Sequence, residues 1–198
     1  RRVYTLVLKG HLSLQNLCFP RGASGTQLDA VARTAMWREG MNFMHGTGHG
    51  VGSYLSVHEG PHQIRQEYRP APMLEGMTVT DEPGLYLEGK FGVRIENTLL
   101  TVPYITTEFG RFLRFEPLTL CPIDTAPIVK EMLSAEETAC LNAYHEMVYD
   151  RLAPHLDEEH RTWLRKKINP KLVKGHQLLA LLYMKENKFE QAKKSLRA

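Results

Sequence analysis

Three side chains of a type that binds divalent metals lie close together along the chain: His49, Glu82 and Glu96. One imidazole and two carboxylates form a mixed nitrogen and oxygen donor set, which borderline-hard divalent metals accept. The set is short of the ligands that a complete site needs. Considered alone, these residues predict an oxygen-rich metal site of incomplete composition.

The histidine lies in a glycine-rich segment. Residues 44–52 contain four glycines, a content that disfavours a helix. His45 and His49 are therefore not the helical histidine pair of a zinc peptidase. The segment is typical of a loop in which the backbone approaches a ligand closely.

The two glutamates lie in or beside segments that are typical of strands. Residues 77–80 are rich in β-formers, and the strand that they predict ends before the turn at Pro83. Residues 92–100 alternate apolar and polar side chains. This alternation predicts one strand, on which Arg94 and Glu96 share a face. An arginine beside a ligating carboxylate commonly orients it.

Other interpretations of the same residues stay open. A histidine in a glycine-rich loop is more often solvated than a ligand. An alternating strand with Arg94 and Glu96 is often only a charged outer face. Glu82, immediately before Pro83 and Gly84, is also typical of a turn residue.

Four segments together resemble a known family. In chain order they are GTGHGVGSYLSVHEGP at 46–61, VTDEPGLY at 79–86, FGVRIEN at 91–97 and FEPLTL at 115–120. They resemble the catalytic half of aminopeptidase P, the Xaa-Pro aminopeptidases among the pita-bread metallopeptidases. The resemblance extends over about residues 1–170 and is closest to the larger cytosolic type.

The resemblance implies a dimetal site. Such enzymes hold two divalent ions, usually manganese, with two aspartates, one histidine and two glutamates. His49, Glu82 and Glu96 match the last three of these ligands. Two close metal ions lower the pKa of a bridging water and polarise the scissile carbonyl, and Glu82 would also accept a proton.

The resemblance also implies roles for three further residues. His45 and His58 match the histidine pair that flanks the substrate. Arg94 matches the arginine that orients the metal site. The implied reaction is hydrolysis of the N-terminal peptide bond in peptides with proline at the second position.

The two aspartate ligands of the family have no counterpart. Asp29 is the only aspartate before His49, and it lies in residues 25–37, where the apolar spacing predicts a helix rather than a strand. We therefore expect the chain to be a fragment whose partner is the missing N-terminal half of the domain. The proline-site histidine of that half is also missing, and we expect the fragment alone to be inactive and to bind metal weakly.

The predicted fold is α+β: the second half of a pita-bread domain, with a curved antiparallel sheet carrying helices on one face, followed by C-terminal helices. Residues 51–120 are predicted to be β-rich, with a hairpin linker at 88–90. Ser134 and Glu137 form a capping box that opens one of the helices. The predicted helices span residues 3–19, 26–38, 134–152 and 157 to about 169.

The two predicted domains are the partial catalytic domain at 1–170 and a helical tail at 171–198. The tail resembles an incomplete tetratricopeptide repeat, and one repeat cannot bury its own apolar face. We expect it to dock on the helix at 134–152 or on a second copy of the chain, which would make a homodimer. A generic amphipathic helical hairpin is the other interpretation of this segment.

Composition limits the class of protein. Hydrophobic residues make up 42% and charged residues 24%, as in soluble globular proteins. The three cysteines are odd in number and widely spaced, which favours a reducing, cytoplasmic setting over a disulfide scaffold. No apolar run reaches membrane-spanning length, and basic residues near the C-terminus alternate with acidic ones, so we expect neither membrane nor nucleic acid as a partner.

Two alternative functions remain. Methionine aminopeptidase and prolidase share the fold, but the residues at 81–84 and 115–120 more closely resemble those of aminopeptidase P. A non-catalytic pita-bread interaction module would explain the missing aspartates. The sequence upstream of residue 1 discriminates between enzyme and module.

Overall fold

The computed structural model describes residues 1–54 and 56–168. The chain divides into two compact units, one of residues 1–119 and a second that begins at residue 120. The first unit contains two helices and eight strands: α1 Arg2–Gln15, β1 Cys18–Pro20, α2 Gly25–Trp37, β2 Gly48–His49, β3 Gln63–Ile64, β4 Thr78–Asp81, β5 Gly84–Leu87, β6 Phe91–Arg94, β7 Asn97–Thr107 and β8 Gly110–Pro117.

The main sheet has four antiparallel strands in the order β1-β8-β7-β4. β7 and β8 form a long hairpin, and β5 and β6 form a separate hairpin around residues 88–90. The α+β class with a curved antiparallel sheet is confirmed. The segment 51–120 is β-rich as predicted, although most of 51–77 has no regular strand.

One apolar core joins the first two helices to the main sheet. The helices contribute Leu14, Leu28 and Ala32, and the sheet contributes Val79 and Leu99, all of them buried. Burying a leucine or valine side chain stabilises the fold by roughly 1.5–3 kcal/mol. This core fixes α2 and β4, which lie on either side of the glycine-rich segment 44–52, here called the histidine loop.

Two sequence predictions are corrected. The first helix ends at Gln15 instead of continuing to residue 19, because Cys18–Pro20 pairs with β8 as an outer strand. The single strand predicted at 92–100 is divided into β6 and β7, which belong to different sheets. Arg94 ends one strand and Glu96 lies between the two, so they do not share the face of one strand.

The second unit contains α3 Ala135–Leu152 and α4 Glu158–Lys167. Ser134 and Glu137 make the predicted capping box: Ser134 Oγ accepts from Glu137 N at 3.1 Å, and Ser134 N donates to Glu137 Oε2 at 2.7 Å. Asp157 caps α4 by accepting from His160 N. The capping signals therefore placed both helix starts correctly.

His145 of α3 is a buried polar residue of this unit. Ile123 N donates to its Nε2 at 3.1 Å. Burial lowers the pKa of His145 to about 4.

The predicted tail at 171–198, its docking and its repeat-like hairpin lie outside the described residues, as does the predicted domain boundary at 170. Within the described ranges, none of the helices combines the length and apolarity needed to span a membrane.

Candidate active site

The histidine loop is held between two short strands. His49 in β2 pairs with Gln63 in β3, and Gly50 bridges to Val79 of β4. The loop runs so close to β4 that a Cβ on Gly48 would lie 1.8 Å from the carbonyl oxygen of Thr80. Glycine is therefore required there because the backbone of β4 lies so close. The segment is a loop with two short strand residues and not a helix, as predicted, whereas its approach to a ligand stays a prediction.

His49 and Glu82 face each other across this contact. His49 Nδ1 lies 3.0 Å from the carbonyl oxygen of Gly50, which can only accept, so Nδ1 carries the proton. Nε2 then presents its lone pair 3.1 Å from Oε1 of Glu82. Two acceptor atoms this close together are compatible with a cation that contacts both of them from one side.

Backbone and side-chain donors hold Glu82 in place. Glu82 N donates to the carbonyl oxygen of Thr47 at 2.7 Å. Thr80 Oγ1 donates to Glu82 Oε1 at 3.0 Å and accepts from His49 N at 3.0 Å. Thr80 thus fixes both members of the pair, a role that the sequence pattern did not indicate.

A chain of polar contacts continues from Glu82 through Arg94 and Tyr86 to His45. Arg94 Nη1 lies 3.5 Å from Glu82 Oε2, and Arg94 Nε donates to Tyr86 Oη at 2.9 Å. Tyr86 Oη lies 3.0 Å from His45 Nε2. His45 Nδ1 lies 2.7 Å from the carbonyl oxygen of Gly46 and must donate to it, so Nε2 accepts from the tyrosine.

Tyr86 is a site residue to which sequence reasoning assigned no role. In the β5–β6 hairpin, Gly84 lies opposite Arg94, so Tyr86 and Arg94 are diagonal neighbours on one face. A Cβ on Gly84 would lie 2.4 Å from Tyr86 Oη, so the glycine makes room for the hydroxyl. Only the strand register reveals this.

His58 completes one wall of a cleft. Its ring centroid lies 4.1 Å from that of His49, and its side chain is exposed. The cleft has a volume of about 280 Å³. It is lined by His45, Gly46, Gly48, His49, His58, Gln63, Arg65, Glu82 and Arg94. The cleft therefore contains all of the predicted site residues except Glu96.

Glu96 is exposed in the connection between β6 and β7. Burial is the main cause that raises the pKa of Asp81, and the negative charge of Glu96 is a smaller one. Glu96 therefore lies in the neighbourhood of the site. Across residues 1–54 and 56–168, no group of three or more His, Cys, Asp or Glu side chains is arranged to hold a metal. The structure brings together two of the three predicted ligands, and the role of Glu96 stays a prediction.

A buried polar network lies behind Glu82. His11 Nδ1 of α1 is 3.0 Å from Oδ2 of Asp81, and both side chains are fully enclosed. Asn97 Nδ2 donates to Gln15 Oε1 at 2.7 Å. Burial raises the pKa of Asp81, while His11 acts to lower it. The sequence pattern did not reveal this network, because its members are far apart along the chain.

Comparison with protein families gives two matches. Residues 1–103 match metallopeptidase family M24, and residues 111–171 match the C-terminal region of peptidase M24.

Individual proteins show the same similarity. The chain is 46% identical over 172 residues to aminopeptidase P1 of Lotus japonicus, covering 84% of this chain and 26% of that protein. It is 42% identical over 177 residues to a probable Xaa-Pro aminopeptidase P of Aspergillus niger, covering 86% and 29%. The chain thus spans little more than a quarter of the length of these relatives.

Among solved structures, the X-prolyl aminopeptidase of Caenorhabditis elegans is similar, with a TM-score of 0.78 and 41% identity. The similarity covers 85% of this chain and 28% of that one. That protein is described as a cytosolic enzyme with a di-nuclear active site.

Proposed function

Because the chain belongs to metallopeptidase family M24, we propose that it supplies the His49, Glu82 and Glu96 ligands of a dimetal Xaa-Pro aminopeptidase. The substrates are peptides with proline at the second position, and the bond cleaved is the one that precedes the proline. The metals are two divalent ions, with Mn²⁺ the expected identity. Relatives named Xaa-Pro aminopeptidase support this assignment.

The single observation that carries the proposal is the opposition of His49 Nε2 and Glu82 Oε1 at 3.1 Å. The Gly50 carbonyl oxygen fixes the imidazole tautomer, so that a lone pair points toward the carboxylate. This donor set fits a divalent cation. When bound, two such ions supply a water of lowered pKa and polarise the scissile carbonyl.

The remaining residues bind and orient. Arg94 and Thr80 each contact one oxygen of Glu82, which keeps the carboxylate aimed at His49 and available as a proton acceptor. His45 and His58 lie on the cleft wall, where they flank a peptide. Tyr86 holds the ring of His45 in one orientation through its hydroxyl.

The complete enzyme needs residues that this chain does not contain. The family's two aspartate ligands would come from the N-terminal part of the domain, which is the proposed partner. The cytoplasm is the proposed location, since the related Caenorhabditis elegans enzyme is described as cytosolic. The chain by itself is expected to bind metal weakly and not to cleave Xaa-Pro peptides, because a metal site needs its full, oriented ligand set.

A metal titration tests the ligand assignment. Mn²⁺ is titrated into the chain, and the variants His49→Ala and Glu82→Gln are each expected to weaken binding by at least the roughly 10–100-fold that loss of an outer-shell partner causes. His160→Ala is the matched control, because His160 is an exposed histidine of the second unit. Equal Mn²⁺ affinity in wild type and His49→Ala would overturn the assignment.

An activity assay tests the need for the missing part. Arg-Pro-Pro is offered with Mn²⁺ to the chain alone and to the chain mixed with the N-terminal part of the domain. We expect no turnover from the chain alone and turnover from the mixture. Turnover by the chain alone at the rate of a complete enzyme would show that the partner is not needed.

A non-catalytic pita-bread module is the second candidate. It is favoured by one observation: in the described ranges, no cluster of three or more potential ligands is assembled. Absence of both Mn²⁺ binding and turnover in the mixture would select this candidate.

A further inference from the structure

A buried arginine joins α2 to the histidine loop. Arg33 and Asp29 each have only 1% of their surface exposed. They stand one helical turn apart, with Arg33 Nε donating to Asp29 Oδ2 at 2.6 Å and Nη2 to Oδ1 at 3.2 Å. This two-point contact holds the guanidinium plane in one orientation.

The other donors of Arg33 reach the loop. Nη1 donates to the carbonyl oxygen of Phe43 at 2.6 Å and to Asn42 Oδ1 at 3.0 Å. Nη2 donates to the carbonyl oxygen of His45 at 2.8 Å. With the two bonds to Asp29, these five bonds match the five N–H groups of a guanidinium.

Asp29 is attached to the loop independently. Its Oδ1 accepts from Thr47 Oγ1 at 2.6 Å, and Thr47 is fully buried. Thr47 is also the residue whose carbonyl oxygen accepts from Glu82 N. Arg33 therefore contacts His45 directly, and Asp29 is connected to Glu82 through Thr47.

Ring contacts strengthen the same connection. The guanidinium carbon of Arg33 lies 3.7 Å from the centroid of the Phe43 ring. That ring lies 4.8 Å from the ring of His45, measured between centroids. Arg33 thus contacts the residues before His45 through both their backbone and their side chains.

Strand pairing and Thr80 hold the loop at His49 and Gly50, whereas Arg33 holds the residues that precede them, 42–45. Glycine has no side chain to pack and loses more conformational freedom on folding than any other residue. A buried charge pair contributes little net stability compared with an apolar pair of the same size. The Asp29–Arg33 pair instead fixes orientation, because its N–H groups point at loop carbonyl oxygens, which apolar packing cannot hold in place.

We propose that Asp29, Arg33 and Thr47 are positioning residues, which fix the conformation of residues 42–47 and thereby the orientation of His45, His49 and Glu82 in the cleft. The catalytic meaning of this inference rests on the proposed function. The structural part does not depend on it.

The main test compares Arg33→Lys with Met36→Ala. Lysine keeps the charge, but its three N–H donors are on a single nitrogen, so it cannot make the five bonds that the guanidinium of Arg33 makes. Met36 is a fully buried residue of the same helix, so its truncation destabilises the fold without removing a bond to the loop. The two variants are brought to equal global stability by choice of temperature.

The readouts are NMR signals of the chain without metal or substrate. We expect Arg33→Lys to shift or broaden the ring signals of His45 and His49. We also expect it to speed amide hydrogen exchange at His49 and Glu82 at least tenfold more than Met36→Ala does. If both variants change these signals alike, Arg33 is merely structural and the proposal is overturned.

Thr47→Val provides a second, milder test should Arg33→Lys fail to fold. It removes the hydroxyl that donates to Asp29 and keeps the branched shape of the side chain. We expect a smaller change at the same two amides, and no change there would contradict the proposal.

If the wild-type chain does not bind Mn²⁺ but Arg33→Lys and Met36→Ala still differ in their NMR signals as expected, the proposed function is overturned and the positioning role stands.

Discussion

The pairs Asp29–Arg33 and His11–Asp81 are both enclosed in the first unit, yet their polar groups are satisfied to different extents. Arg33 has a partner for each of its five N–H groups. His11 Nδ1 lies 3.0 Å from Asp81 Oδ2, but within the described part of the chain neither this nitrogen nor either Asp81 oxygen makes a hydrogen bond of standard geometry.

The protonation of Asp81 in the second pair follows from its burial. Burial disfavours the charged carboxylate of Asp81 more than His11 favours it, and the pKa of Asp81 is raised accordingly. Distance alone is therefore a poor guide to how strongly a buried pair holds its surroundings. The number and direction of the N–H donors distinguish Asp29–Arg33, which we propose orients a loop, from His11–Asp81, in which the carboxylate is more easily protonated.

The largest effect is expected from Arg33→Met. It leaves Asp29 buried without its cation and should lower the free energy of unfolding by about 3–5 kcal/mol. Urea unfolding followed by the fluorescence of Trp37 measures it. Arg21→Met is the control: it breaks the more exposed Arg21–Glu75 pair and should cost less than about 1 kcal/mol. Similar costs for the two variants would contradict the comparison.

His145 gives an intermediate case, a buried group with one backbone donor. Its folded pKa of about 4 lies below the ordinary value of 6.5, so the unfolded chain binds its proton first. Stability is full above pH 6.5 and falls as the pH drops toward 4, by about 3 kcal/mol in total.

Urea unfolding between pH 7.5 and pH 4, followed by the fluorescence of Trp163 in a Trp37→Phe background, measures this loss. His145→Gln keeps an acceptor for Ile123 N and removes the titration, so its profile should be flatter. Parallel profiles for the two proteins would refute the expectation.

The smallest effect is expected from Asp81→Asn. Because the pKa of Asp81 is raised, stability from its protonated form is full below the unfolded pKa and is lost as the pH rises through the folded pKa. A neutral amide avoids that loss, and the change at pH 7 should stay within about 1 kcal/mol. Asp29→Asn, measured in parallel, should cost more, and the reverse order would break the distinction between the two pairs.

Local signals in the sequence predicted several elements correctly. Ser134 and Glu137 marked the start of α3, because a capping box is made within four consecutive residues. The glycines at 46–52 predicted a non-helical loop, and Gly48 lies in such a segment, packed against the backbone of Thr80. The division of 92–100 was missed, because alternation is the same whether a strand stays in one sheet or passes to another.

The sequence by itself determined which residues carry the proposed chemistry. His49, Glu82 and Arg94 lie in short segments whose residue types suffice to identify the family. Only the tertiary structure decided what orients them: Thr80 between His49 and Glu82, Tyr86 between His45 and Arg94, and Arg33 beneath the loop. The physical reason is that capping and periodicity depend on neighbours along the chain. Hydrogen bonds across strands and between a helix and a loop depend on register and packing, which no local pattern encodes.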